Sequence, residues 1–273
     1  MYDECGIVFY PSTIHRNLQR LGVSLTVIHE IAREAEFSER CIFAQTLNNL
    51  VHHPRQLLFI DETHKDRNTS RRRRAYGFKN EKIALDGWFK EAIRYTMIGV
   101  ANINGFVPEA FDIMLRNHHE ASLSYGGSTG TVDTKRFIEF IENKLIKTKV
   151  LGNYVLGEAN SIVVLDNASI HNDPEVRRLI ASVGAELVMS SPYSPDLNPI
   201  EKMFSVYKAC LRRNFYSGKH WYEVHEEGLS AVTPAIAYSE FKHCGVPMKG
   251  AKPPASNDDD NFITDVAFNL ICD

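Results

Sequence analysis

Two short apolar runs, each closed by a carboxylate, constrain this chain more than any other feature. Gln56-Leu57-Leu58-Phe59-Ile60-Asp61 and Ser161-Ile162-Val163-Val164-Leu165-Asp166 read as buried strands. Helical patterns surround them. A helix is predicted to start at Val132-Asp133-Thr134, with Phe137, Ile138, Phe140, Ile141 and Leu145 apolar. Another opens at Asp173-Pro174, with Val176, Leu179, Ile180 and Val183 on its inner face. Between the two runs, Arg94–Ile103 and Phe106–Leu115 are β-rich and flank Asn104-Gly105, a strong hairpin signal. Ala185–Met189 is a further strand, followed by a loop with three prolines. Asn198-Pro199-Ile200-Glu201 then opens a long helix, with Asn as N-cap and Glu at the third helical position. The order from residue 54 is strand, hairpin, helix, strand, helix, strand, helix, which predicts a mixed α/β domain of about 160 residues.

In open α/β sheets, sites form beyond the carboxyl ends of strands, so Asp61 and Asp166 are placed to share a crevice. Glu201, in the first turn of its helix, is the third acid, with 34 residues between it and Asp166. Three converging carboxylates suit hard divalent cations. Two such ions together activate a nucleophilic oxygen and stabilise a leaving one in phosphodiester displacement. From residue type alone a second reading stays open. Asp61 and Asp166 are also ordinary turn residues, and Glu201 is also the reciprocal member of a capping box with Asn198.

Near the N-terminus, Ser12 is the expected N-cap of a short helix with Ile14, Leu18 and Leu21 on one face and Gly22 as its stop. His15, Arg16, Asn17, Gln19 and Arg20 occupy the other face, and such side chains suit base-edge contacts. This is the pattern of the second helix of a helix-turn-helix, although an ordinary capped amphipathic helix has it too. Charge does not decide the matter. The 31 Lys and Arg against 34 Asp and Glu leave a net charge of −3, so composition by itself does not favour a nucleic-acid binder. The basic residues are nevertheless clustered, above all in the run Arg71, Arg72, Arg73, Arg74.

Three segments carry a family resemblance. Leu57-Leu58-Phe59-Ile60-Asp61-Glu62-Thr63, Val164-Leu165-Asp166-Asn167-Ala168-Ser169-Ile170-His171 and Ser191-Pro192-Tyr193-Ser194-Pro195-Asp196-Leu197-Asn198-Pro199-Ile200-Glu201 resemble the Tc1/mariner-type, IS630-related DDE transposases. The third is the most specific, and the 34-residue gap is also that family's spacing. The likeness runs over roughly residues 10–245 and implies an RNase H-like fold with a partial N-terminal helix-turn-helix. It implies a catalytic triad of Asp61, Asp166 and Glu201 holding two Mg²⁺ or Mn²⁺ ions. Cleavage at transposon ends, followed by attack of the new 3′-hydroxyl on target DNA, is the implied reaction. Asn167, His171 and Asn198 become candidate supporting or substrate contacts. Ser12, Thr13, His15, Arg16, Arg20 and Arg71 to Arg74 become candidate DNA contacts.

Family members carry two N-terminal helix-turn-helix units, whereas this chain begins inside the second, so a truncated or domesticated copy that only binds DNA is the alternative. The expected organisation is a partial helix-turn-helix at 1–25, a helical linker at 26–53, the catalytic domain at 54–214, a helical extension at 215–250 and a polar tail at 251–273. The partners implied are double-stranded DNA and a second copy of the chain. No stretch approaches the roughly 20 apolar residues of a membrane span, and five scattered cysteines without a Cys-x-x-Cys pair argue against disulfides and zinc. The expected location is intracellular, nuclear if the host is a eukaryote.

Overall fold

The structure, a computed structural model, describes residues 10–22, 36–65, 94–116, 132–214 and 218–254. The chain divides into two compact units, residues 1–32 and 33–273. In the first, α1 spans Pro11–Arg20. Pro11 occupies its first turn and Tyr10 is the N-cap residue, so Ser12 lies inside the helix and does not cap it. The fixed φ of proline starts the helix one residue earlier than the serine signal suggests. Gly22 does close it, at φ 72°. The rest of the expected partial helix-turn-helix, residues 1–9 and 23–25, lies outside the described residues.

In the second unit the described elements are α2 (Phe37–Leu50), β1 (Leu57–Lys65), β2 (Arg94–Asn102), β3 (Gly105–Phe106), β4 (Asp112–Arg116), α3 (Thr134–Phe140), β5 (Ile162–Leu165), α4 (Pro174–Ser182), β6 (Glu186–Met189), α5 (Pro199–Asn214), α6 (Trp221–Ser230) and α7 (Pro234–His243). They build one mixed sheet in the order β3-β2-β1-β5-β6, with β4 also paired to β2. β1 runs antiparallel to β2 and parallel to β5, which is parallel to β6.

Alternation along the central strands divides the interior in two. Leu57 and Phe59 of β1, Met97 and Ala101 of β2, and Ile162 and Val164 of β5 face a core completed by α2, α5, α6 and α7. Leu58, Ile60, Ile98, Val100, Val163 and Leu165 face a second core under α3 and α4. Both faces are covered, which is why these strands read as continuous apolar runs rather than as alternating ones. Asp133 caps α3 by accepting from the Arg136 N–H, and the helix widens into a π-helical turn over Ile141–Ile146. Asp173 caps α4 by accepting from the Glu175 N–H.

The hairpin differs from its sequence reading. Asn102 pairs with Gly105, so Ile103 and Asn104 form the turn, and Gly105 is the glycine that takes a positive φ, 114°. A type I′ turn needs positive φ at both central residues; here the chain uses the glycine one position later. A Cβ at Gly105 would lie 2.6 Å from the Val232 carbonyl oxygen, so the α6–α7 connection sits directly against the hairpin. The returning strand is also broken into β3 and β4 by a turn at Val107–Ala110.

Candidate active site

The strand alternation continues into the acids. Asp61 follows Leu57 and Phe59 on the α5 side of β1. Asp166 follows Ile162 and Val164 on the same side, one residue past β5. Phe59 stands opposite Val164 in the parallel register, and Asp61 and Asp166 each follow two residues further along their own segments, Asp61 still within β1 rather than at the strand end that the apolar run suggests. The helix that covers this face begins with Glu201 in its first turn and buries Ile200, Met203, Phe204 and Tyr207 beneath it. Its approach needs a glycine: Gly99 pairs with Asp61 across β2, and a Cβ there would lie 2.8 Å from the Phe204 ring. Asp61, Asp166 and Glu201 consequently line one cavity of about 420 Å³, together with Asn167, Tyr193 and Asn198.

The aspartates have unlike surroundings. Asp61 is 7% exposed, accepts from the Glu62 N–H at 2.8 Å, and accepts from Asn198 Nδ2 at 3.0 Å. Burial, with Glu201 and Asp166 adding negative field, pushes its carboxyl up to about 8. Burial acts on Asp166 in the same direction, but bonds from His171 and the Ala168 N–H outweigh it and hold this carboxyl below its ordinary value. Glu201 opens toward the cavity; burial of the carboxyl raises it, and Asp166 adds to the rise against Lys208 and Lys202.

His171 is the hub of the Asp166 side. It is 1% exposed, its ring lies 4.4 Å from the Phe137 ring, and both nitrogens face carboxylates. Nδ1 meets Asp166 Oδ1 at 2.5 Å and Nε2 meets Glu62 Oε1 at 3.1 Å. Two acceptors require two N–H donors, which is the charged imidazolium. Burial opposes that charge, yet the bonds to Asp166 and Glu62 raise the ring to about 10. Glu62, on the opposite face of β1 from Asp61, has no distinguishing signal in the sequence beyond its place beside that acid.

Asn198 directly precedes α5, but the predicted capping box is absent. Its Nδ2 goes to Asp61, its Oδ1 is buried without a partner, and only its backbone oxygen accepts from the Glu201 N–H. Competition from a buried carboxylate has drawn the amide away from the helix end. Asn167 donates to the Ser190 oxygen at 2.5 Å and ties the loop after β5 to the end of β6. Tyr193 is 64% exposed at the cavity wall and holds φ 51°, an uncommon conformation for a residue with a Cβ. Arg40 from α2 was not legible as a site residue. Its guanidinium grips Asp196 at 2.9 and 2.6 Å, which anchors the loop that carries Tyr193 and Asn198.

The candidate DNA contacts lie elsewhere or outside view. On α1, Ser12, His15, Arg16 and Arg20 are exposed and Thr13 is half-buried. They belong to the separate N-terminal unit. Arg71 to Arg74 lie outside the described residues.

The donors suit a hard divalent cation: three carboxylates and one orphaned amide oxygen on a single cavity wall. Among the described residues, however, no three His, Cys, Asp or Glu side chains are gathered closely enough to hold an ion as they stand. Like charges repel across such a cavity, so closing round a cation requires side-chain movement and loss of the Asp61 proton. The residues fit the group in chemistry.

Comparison with known proteins bears on this geometry. No curated protein matches the chain in sequence. Among solved structures, the fold is similar to the crystal structure of a pre-cleavage Mos1 transpososome, at TM-score 0.55 and 13% identity, over 86% of this chain and 67% of that one. It is also similar to the mariner Mos1 paired end complexes with Mg and with Mn, at TM-scores 0.59 and 0.53 and identities of 14% and 12%, with the same coverage of 86% and 67%. The architecture is therefore RNase H-like, as the resemblance implied. The described helices include none long and apolar enough to cross a membrane. The family model for the DDE superfamily endonuclease matches residues 56–220, from the residue before β1 to just past α5, and so takes in Asp61, Asp166 and the helix bearing Glu201. By that match the chain belongs to the DDE superfamily of endonucleases.

Proposed function

We propose that this chain is a metal-dependent DNA transposase that hydrolyses phosphodiester bonds at transposon ends and transfers the resulting 3′-hydroxyl to target DNA. One observation carries the reading. Asp61, in the middle of β1, and Asp166, one residue past the end of the adjacent parallel β5, line the same cavity to which α5 delivers Glu201. Asp61, Asp166 and Glu201 would hold two Mg²⁺ or Mn²⁺ ions, with the Asn198 oxygen as a further donor. Bound ions of this kind supply an activated water and stabilise the leaving oxygen. His171 orients Asp166 and keeps it ionised. Asn198 orients Asp61 and its hydrogen bond survives ionisation of that acid. The wall formed by residues 190–198, anchored through Arg40 and Asp196, borders the space for the scissile phosphate.

The similar Mos1 structures are a pre-cleavage transpososome and paired end complexes. By analogy this chain would act on double-stranded DNA as a homodimer, in the nucleus if its host is a eukaryote. The test is nicking of supercoiled plasmid with Mg²⁺ or Mn²⁺ by the purified chain and by Asp166→Asn. Nicking by the parent and none by the variant is the expected result. A second reading is a DNA-binding remnant without catalysis, with which the net charge of −3 is compatible. It requires DNA binding with no nicking by either protein.

A further inference from the structure

A second cavity, of about 360 Å³, lies at the other end of β1, where the strand begins rather than where the acids stand. Its wall includes His53, Arg55, Asn104, Pro234, Tyr238 and Lys252, drawn from four separate stretches of chain. The stretches are held in place. Gln56 Oε1 accepts from the His52 and His53 N–H groups and fixes the turn before β1. Gly105 lets the α6–α7 connection seat on the hairpin, and Asn104 lines the same cavity as Pro234 at the start of α7.

The lining has one chemical bias. It contains no acidic residue. Arg55 and Lys252 are exposed, and neither forms an ion pair among the described residues. His53 Nδ1 already accepts from the Arg55 N–H at 3.1 Å, so the neutral ring carries its hydrogen on Nε2 and is a donor there. Asn104 and Tyr238 add an amide and a phenol. A guanidinium fork, an ammonium and several neutral donors around one space select a multi-oxygen anion. The half-buried aromatic ring of Tyr238 adds a flat apolar surface that a bare phosphate does not use.

We propose that this cavity binds one phosphodiester unit of a nucleic-acid strand, with the phosphate on Arg55 and Lys252 and the sugar or base against Tyr238. Arg55 lies on the 3-10 turn Pro54–Gln56 just before β1, and two steps of that turn plus four strand steps to Asp61 make roughly 17 Å. The site is therefore a contact separate from the catalytic cavity, about five base pairs away along a duplex. The choice of DNA as the strand rests on the proposed transposase reading; the anion chemistry does not.

The test measures affinity for a short fluorescent duplex by anisotropy in EDTA, between about 50 and 200 mM salt. It compares the parent chain, the Arg55→Gln/Lys252→Gln variant, and a Lys135→Gln/Lys147→Gln control that removes two charges from the helical face over the other core. The expected result is affinity about tenfold lower near 100 mM salt, with the log–log salt slope reduced by about 2 in the first variant only. Tyr238→Ala should weaken binding about threefold and Tyr238→Phe should not. A slope equal to the parent's, or a loss matched by the control, overturns the proposal, as does absence of duplex binding. Pyrophosphate, followed on the His53 ring resonances, separates the sources. Perturbation by pyrophosphate without any change in duplex slope would assign a small anion instead and overturn the nucleic-acid site. Plasmid nicking by the same proteins keeps the two readings apart. If the parent nicks and the slopes agree, this site fails alone; if nothing nicks but the slope falls, the catalytic reading fails alone.

Discussion

The two aspartate sides of the catalytic cavity start from the same residue type, on adjacent strands, and arrive at different protonation states. Asp61 is buried against a neutral amide, and nothing positive touches it, so its carboxyl rises to about 8. Asp166 is bonded to a buried imidazolium and falls. Strand position thus determines where a carboxylate goes, while the group behind it determines whether that carboxylate is ionised. A site of this kind carries one acid ready for a cation and one that must release a proton to bind it.

Removing the cation behind Asp166 should have the largest effect. His171→Ala leaves two carboxylates without their shared partner beside Phe137, and a loss of about 3 kcal/mol is expected in urea unfolding. Nicking should fall with it. His171→Gln should regain part of the stability and not the low Asp166 pKa, which carboxylate resonances would report. If His171→Ala unfolds at the parent's urea midpoint, the hub role is wrong.

Displacing the third acid is expected to come next. Gly99→Ala places a methyl group 2.8 Å from Phe204 and pushes α5 off β2. The expected cost is about 2 kcal/mol, and nicking should drop further than stability accounts for because Glu201 rides on the same helix. Equal nicking per folded molecule would show that α5 has no such freedom to shift.

The Asp61 side can be made more like a cation site. Asn198→Asp replaces its amide with a second carboxyl. In EDTA this variant should lose about 1 kcal/mol at neutral pH because the hydrogen bond from Asn198 to Asp61 is lost and a second carboxyl is placed in a buried site, and saturating Mg²⁺ should restore it. Thermal unfolding with and without Mg²⁺ measures both. A loss that Mg²⁺ leaves untouched would mean that Asn198 faces no ion.

The gentlest test is pH. Asp61 has a folded pKa of about 8, above its ordinary 3.8, so the fold favours its protonated form and stability falls as pH rises from about 4 through 8 in the absence of metal. Metal binding needs the ionised form, so Mg²⁺ affinity should climb with pH up to about 8, at most tenfold per unit, and then level off. His171 has a raised folded value of about 10 against 6.5, so its contribution is complete below 6.5 and lost as pH passes through 10. Asp166 acts in the other direction, with a contribution present above 3.8 and lost as pH falls through its lowered value. Calorimetric Mg²⁺ titrations at several pH values would reveal the first effect. A flat profile would mean that Asp61 is already ionised.

Local pattern is legible in sequence where it depends on near neighbours. The strands at 57 and 162, the caps Asp133 and Asp173, and the helix start at Pro199 all follow from alternation and from proline and aspartate stereochemistry. Ser12 and the Asn198–Glu201 capping box misread because more than one group competed for each role. Pro11 started α1 first, and Asp61 took the Asn198 amide. The hairpin misread by one residue because Gly105 satisfies the turn equally well from the next position.

By itself the sequence determined that Asp61 and Asp166 stand on two buried apolar runs and that Glu201 opens α5, since those depend on local pattern and on fixed backbone angles. β1, by contrast, runs on past Asp61 to Lys65 because it pairs with β2 over that length. Tertiary structure alone decided what stands behind each acid. Glu62 and His171 lie 109 positions apart, Arg40 and Asp196 lie 156 apart, and Asp61 and Asn198 lie 137 apart. Those pairs exist because the sheet order puts β5 beside β1 and because Gly99 admits α5 over both. The charge of a carboxylate is set by the groups within a few ångströms of it, and here those groups come from distant parts of the chain.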